Sequence, residues 1–272
     1  MKAEARGIRL LAVGTAALLW AVPFLWMAVA SLRPGVPADI ASLTPAGPFG
    51  LENFALAWQS GSFPLWYLNT LFVCGGILAV QLVSISMAGY AFARLRFPGE
   101  GWLFAAFLLQ LLLIPPLLIA PNLKTLVSLH LYDTLPGIMA PYFASAFGVF
   151  LMRQTFRAIP RDYEEAAMLD GAGVAALIRH VLLPLARPGL AAFAIVSLTA
   201  HWNEFLWPLM AVSSPRSQVL TVGLATFATG AEAGSAWGVV AAGTLLVAAP
   251  LLAGFLVFQR RFVSSFVLSG IK

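Results

Sequence analysis

Residues 153–188 read RQTFRAIPRDYEEAAMLDGAGVAALIRHVLLPLARP. This is the one long segment a bilayer would not accept: Arg153, Arg157, Arg161, Asp162, Glu164, Glu165, Asp170, Arg179 and Arg187 all fall within it, between nearly continuous apolar runs. A polar loop of this size between membrane-embedded helices is where function concentrates. Its local pattern is helical. Pro160 stops the preceding helix, Asp162 is placed to act as an N-cap, and Glu165 three residues later completes a capping box. A helix is therefore predicted from about Tyr163 to Gly171 or Gly173. Val174, Leu177, Ile178, Val181 and Leu182 then recur at i, i+3, i+4, i+7 and i+8, the spacing of a second amphipathic helix, closed by Pro184 and Pro188. Two short helices joined at a glycine elbow make a knob on one membrane face.

The chain around this knob is apolar. Of its 272 residues 60% are hydrophobic and 10% charged, against roughly 25% charged in soluble domains. The mean hydropathy is +0.88. These values describe an integral membrane protein and exclude a soluble enzyme. A nucleic-acid binder is excluded too, because the basic residues behind the net charge of +5 are sorted by membrane side and form no patch. The single cysteine, Cys74, lies in an apolar run and reads as a small packed hydrophobe; one cysteine excludes an intrachain disulfide.

Apolar spans fall at about residues 10–30, 67–93, 102–119, 135–152, 186–212 and 237–258. Each is near the roughly 20 residues needed to cross a bilayer. The fold class is therefore all-α: a polytopic membrane protein with six transmembrane helices and a single transmembrane domain. The first run ends in Ala28-Val29-Ala30, which resembles a signal-peptidase site, but its length exceeds an h-region and it reads as a retained helix. Lys and Arg set the orientation. With a cytoplasmic N-terminus the inner side holds Lys2, Arg6, Arg9, Arg94, Arg96, Arg153, Arg157, Arg161, Arg179, Arg187, Arg260, Arg261 and Lys272, and the outer side only Arg33, Lys124 and Arg216. Both termini and the loop over residues 153–185 are thus placed in the cytoplasm. In the first outer loop, prolines at 34, 37, 45, 48 and 64 interrupt helix, while LENFALAW (51–58) is predicted as a short interfacial helix with Trp58 and Trp66 at headgroup level. Gly75, Gly76, Ser84, Ser86 and Gly89 in the second span are small residues that permit close helix approach.

The knob also carries a motif. Glu165-Ala166-Ala167, Gly171, then Val181-Leu182-Leu183-Pro184 resembles the EAA loop of ABC-importer permeases, whose pattern is EAA, three residues, G, nine residues, I-x-L-P; Val181 replaces Ile. AGYAFARLRFP (88–98), SAFGVFLMRQTFRAIPRDYEEAAMLDGAG (145–173), Tyr67-Leu68-Asn69-Thr70, HWNEFLWP (201–208), Leu220 to Leu224 and Gln259 to Val263 extend the likeness along nearly the whole chain. It is similar to the shorter permease type of carbohydrate-uptake importers. The resemblance implies an importer-permease (MetI-like) architecture with a cytoplasmic coupling helix, in a bacterial or archaeal inner membrane. It implies as partners a second permease subunit, an ATP-binding cassette ATPase dimer and an external or periplasmic solute-binding protein. Glu164, Glu165, Ala166, Ala167, Asp170, Gly171, Leu183 and Pro184 become the candidate ATPase-coupling residues. Asn69, Trp202, Asn203 and Glu204 become candidates for the translocation path or its gate. The solute class implied is a sugar, oligosaccharide or glycerol phosphate.

Missing chemistry agrees with that division of labour. A phosphate-binding P-loop requires Gly-Lys, and Lys2, Lys124 and Lys272 follow Met1, Leu123 and Ile271. No cofactor is expected on this chain; ATP and magnesium belong to the partner. His201 and Glu204 share a helix face, but His130 and His180 lie in other regions and no HExxH occurs, so no metal site is expected. Seventeen residues separate Arg187 from Glu204, about 25 Å of helix. Glu204 is thereby placed near the outer boundary of the core, which favours a structural or gating role over solute contact. The alternative class is a self-contained secondary transporter, but such proteins place ionisable groups near the midplane and show repeated halves, and neither is evident.

Overall fold

The computed structural model describes the backbone over residues 2–34, 48–230 and 237–270, and side chains over residues 9–34, 48–230 and 237–254 and residue 256. Of the residues singled out above, Pro37, Pro45 and Lys272, and the side chains of Lys2, Arg6 and Gln259 to Val263, lie outside the described residues. The protein is all-α, with no strand among the described residues. Three helices are each long and apolar enough to cross a bilayer: residues Arg9–Ser31 of α1 (Lys2–Ser31), the whole of α3 (Phe63–Arg94), and residues Trp237–Gly254 of α14 (Trp237–Gly270). Three further pairs of helices have that apolar length only when joined across a bend.

The chain divides into two compact units, residues 1–64 with 222–254 and residues 65–221 with 255–272. In the first, α2 (Glu52–Ser60) occupies the stretch predicted as an interfacial helix. Its Asn53 is buried and donates from Nδ2 to the carbonyls of Ser31 at 3.1 Å and Arg33 at 2.9 Å, satisfying acceptors at and just past the end of α1. Phe63 is fully buried, stacked 6.1 Å from Trp58 and edge-on at 5.8 Å to Phe227 of α13 (Leu220–Thr229).

The second unit holds the bends. The stretch 102–119, read as one helix, is α4 (Glu100–Leu109) with a 3-10 turn at Gln110–Leu112, and then a 3-10 turn at Pro115–Leu118 leading into α5 (Ile119–Ser128), bent by 104°. Pro115 and Pro116 lack N–H groups, and Ile114 before them is extended at φ −73°, ψ 119°. The stretch 135–152 is likewise divided into α6 (Leu135–Met139) with the turn Ala140–Tyr142, and α7 (Ala146–Ala158), bent by 49°. Each half has its own N-cap: Thr134 Oγ1 accepts from Gly137 N and Ser145 Oγ from Gly148 N, both at 3.1 Å. Because α7 runs on to Ala158, Arg153 and Arg157 belong to a helix and not to the loop.

The knob begins at α8 (Asp162–Leu169). The predicted capping box does not form: Arg161 occupies the cap position with no side-chain bond, and Asp162 is the first helical residue. Past the elbow, α9 (Val174–Leu177) widens into a π-turn at Ile178–Leu182 before α10 (Leu183–Leu185). Pro184 therefore does not close the helix. The wide turn lies just before it, where its ring would otherwise collide with the carbonyl four residues back. Closure comes at Ala186, from which α11 (Arg187–Trp202) starts with Pro188 in its first turn and departs at 75°. The stretch 186–212 ends in a separate short helix, α12 (Leu206–Ala211). Ile85, Tyr90 and Phe92 of α3, Val149, Met152 and Phe156 of α7, Leu177, Leu182, Ala186 and Phe193 make one core cluster beneath the knob.

Candidate functional site

The elbow is set by backbone hydrogen bonding. After α8, the Gly171 N–H reaches the Met168 carbonyl at 3.0 Å and the Ala172 N–H reaches the Ala167 carbonyl at 2.9 Å. This is the paired Schellman closure, which requires a left-handed residue at Gly171; its φ is +82°. No heavy atom lies within 4 Å of where a Cβ would stand, so the glycine is needed for its torsion and not for space. The candidate coupling residues then separate. Glu165, Ala166, Asp170 and Gly171 are exposed, while Ala167, Leu183 and Pro184 are half-buried, Ala167 and Leu183 against the core cluster.

Glu164 goes the other way. It is buried, and its Oε1 accepts from Arg94 Nε at 2.5 Å, with both side chains 8% exposed. Named among the candidate ATPase-coupling residues, it faces inward toward the end of α3 and not onto the knob's exposed surface. Arg94, the last residue of α3, also donates from Nη2 to the Ile159 carbonyl at 2.7 Å. Beside it, Arg153 donates from Nε to the Phe92 carbonyl at 3.0 Å, its guanidinium 4.1 Å from the centroid of the Phe104 ring. The outward face carries apolar groups that charge-based reading passed over: Tyr163, Met168 and Val174 are more than half exposed, and Leu169 is 90% exposed. The available signal was their position beside the glycine elbow in a segment that cannot bury them.

The candidate gate residues do not form one site. Asn69 is buried and donates both amide hydrogens, to the carbonyls of Arg216 and Gln218, at 2.8 Å each. Asn203 is exposed and bonds back to the Thr199 carbonyl. Trp202 and Glu204 do meet, on a cavity of about 10 Å³ that Cys74, Tyr142 and His201 also line, at the lower limit for one water molecule. Glu204 Oε1 accepts from the Trp207 N–H at 3.3 Å, and its carbonyl accepts from Thr221 Oγ1 at 2.7 Å. Trp66, Trp202 and Trp207 are buried, and Trp207 donates from Nε1 to the Ile138 carbonyl at 3.0 Å.

Two further polar groups were not singled out from sequence. Gln81 of α3 donates at 2.7 Å to the Tyr142 carbonyl and accepts from Ser197 Oγ at 2.6 Å, satisfying an acceptor freed by the bend between α6 and α7. Asp133, at φ 60°, joins two loops: its Oδ1 accepts from the Ser213 and Ser214 N–H groups and from Ser214 Oγ. The Ser214 N–H, with these other donors, holds the carboxyl below its ordinary value. A lowered carboxyl value stabilises the latch above the unfolded pKa and loses that contribution as pH falls through the folded value. The latch should therefore stay closed near neutrality and open only below about pH 3.8. Asp133→Asn should speed hydrogen exchange at the Ser213 and Ser214 amides by about fivefold at neutral pH, since an uncharged acceptor bonds more weakly; exchange mass spectrometry reads this directly. Among the described residues no group of His, Cys, Asp and Glu is placed to hold a metal ion.

The profile of the family described as "binding-protein-dependent transport system inner membrane component" matches residues 82–265. The chain belongs to this family of importer permeases. The permease is 33% identical over 260 residues to the diacetylchitobiose uptake system permease protein NgcG of Streptomyces coelicolor, covering 91% of this chain and 84% of that one. It is 30% identical over 269 residues to the arabinooligosaccharides transport system permease protein AraQ of Halalkalibacterium halodurans, covering 97% and 96%. A crystal structure of a bacterial ABC transporter involved in the import of the acidic polysaccharide alginate shares the permease's fold, with a TM-score of 0.82 over 93% of this chain and 94% of that chain at 23% identity. As a multi-pass importer permease the chain is a non-catalytic subunit of an ABC importer, and ATP hydrolysis is the work of a partner.

Proposed function

We propose that this permease forms half of the translocation path of an importer for a sugar, oligosaccharide or glycerol phosphate. Its elbow docks on a cytoplasmic ATPase dimer. A second permease subunit completes the path, and an external solute-binding protein delivers the solute. The observation that supports docking at the elbow is its exposed apolar tip, Met168 and Leu169 beside a glycine-capped turn, rimmed by Glu165 and Asp170. A short helix with this surface suits a groove in another protein, where its apolar side is buried and its rim charges pair. Carbohydrate transport is supported by the two relatives whose names specify diacetylchitobiose and arabinooligosaccharides.

Six crossings follow if each bent pair is one span. With the N-terminus inside, such a count is in keeping with a cytoplasmic elbow and cytoplasmic termini, and Arg94 at the end of α3, Arg96 and Arg161 would then share that side.

The test is co-purification. The tagged chain, purified from its native membranes, should retain a P-loop ATPase and a second permease, and the complex should take up diacetylchitobiose, arabinotriose or glycerol 3-phosphate when ATP is supplied. Leu169→Asp should reduce ATPase retention by at least about tenfold, because a charge at the centre of an apolar contact is left unpaired on burial. Uptake by the isolated chain driven by a proton or sodium gradient would instead establish a secondary transporter.

A further inference from the structure

We propose that the Arg94–Glu164 pair is a positioning device that makes α3 the rod carrying displacement of the elbow to residues 216–220, the segment that leads into α13. The inference rests on the docking reading above and adds to it the route by which motion leaves the dock. Four carboxylates stand on or beside α8, at residues 162, 164, 165 and 170; Glu164 alone of them is buried. Its partner is the last residue of α3, and the same guanidinium holds the Ile159 carbonyl just before Pro160. One side chain thus grips the elbow on both sides of its entry. An apolar pair would stabilise this contact about as well, but it would allow sliding. A directional, charge-assisted bond fixes the register of α8 on α3.

Two further contacts stop α3 from moving independently at that end. Arg153 of α7 bonds the Phe92 carbonyl, and Gly89 lies so close to α7 that a Cβ would stand 2.6 Å from Met152 Cβ. At the other end of α3, Asn69 holds the carbonyls of Arg216 and Gln218, and Thr70 Oγ1 accepts from the Leu220 N–H at 2.8 Å. Asn69 and Arg94 are 25 residues apart, about 37 Å along one uninterrupted helix with no proline between them. A packed helix transmits displacement as a unit, whereas the three bent spans offer breaks that absorb it.

The experiment uses the chain in its complex with the ATPase and second permease, reconstituted in nanodiscs. Cys74→Ala removes the native thiol, and Ser213→Cys, at an exposed position beside that segment, takes an environment-sensitive fluorophore. In this background MgATP should change the label's emission. Glu164→Gln keeps the side chain's shape and removes its charge; it should retain the ATPase but lower the emission change to under about a third, and the exchange Arg94→Glu with Glu164→Arg should restore more than half. Arg94→Lys, which keeps the charge without the two-sided grip, should give an intermediate amplitude and serves if Glu164→Gln inserts poorly. An unchanged amplitude in Glu164→Gln with the ATPase retained would overturn the proposal. So would loss of the ATPase from Glu164→Gln, since the pair would then build the dock and not pass on its motion. If the unsubstituted chain retains no ATPase, the docking reading itself fails, and this inference with it.

Discussion

Replacing Gly171 with valine should abolish most uptake while leaving the protein inserted in the membrane. Gly171 sits at φ +82°, and a β-branched residue there carries a torsional penalty of about 2 kcal/mol. That corresponds to a roughly 30-fold shift in the population of the closed elbow. The space around the position is empty, so no steric clash accompanies the strain and the core cluster is undisturbed. Membrane abundance should therefore stay within about twofold of the native chain, while uptake falls at least about tenfold because the Schellman closure that shapes the dock is lost. Gly171→Asn, which tolerates the left-handed region, should recover most of the loss. Uptake by Gly171→Val at the native rate would show that the elbow's shape is irrelevant to transport.

The second large effect is expected at Gly89, where helix propensity and packing oppose each other. Alanine in a helix interior normally gains about 0.5–1 kcal/mol over glycine. Here its Cβ would stand 2.6 Å from Met152 Cβ, 3.1 Å from the Met152 carbonyl carbon and 3.2 Å from Arg153 N, and two of those three neighbours are backbone. Met152 is fully buried, so α7 itself must move, and the overpacking cost of about 1–3 kcal/mol outweighs the gain. Gly89→Ala should lower the temperature at which the detergent-solubilised protein loses its monodisperse elution peak by about 5 °C, and Gly89→Leu should prevent accumulation. Gly75→Ala is the control: no atom lies within 4 Å of its Cβ position, so the same substitution one glycine pair away should be neutral or mildly stabilising.

These two positions also show where sequence reading succeeds and where it stops. Gly171 was identifiable because a left-handed helix end is a local requirement, expressed in the spacing of α8, the glycine and the next apolar repeat. Gly89 was identifiable only as one of several small residues. That a Cβ at Gly89 would meet Met152 while one at Gly75 would stand in open space depends on a helix more than sixty residues further along the chain. Local signals also misled at Pro184: a proline that ends an isolated helix is accommodated here by a π-turn, because the segment is pinned by its buried Leu177 and Leu182. The bends at residues 113–114 and 143–145 fall at prolines and at a serine cap that are visible in the sequence, yet apolar length alone joins each pair into one span.

Membrane residence, the number of apolar runs, the charge asymmetry and the elbow motif were determined by the sequence itself, since each is a property of composition or short-range spacing. The roles of neighbouring residues were decided only by the tertiary structure. Glu164 and Glu165 are adjacent and chemically equivalent, but one is buried against Arg94 and the other faces outward. The difference arises because helix rotation turns consecutive side chains about 100° apart, and only the packing of α8 on the end of α3 determines which of them meets the guanidinium.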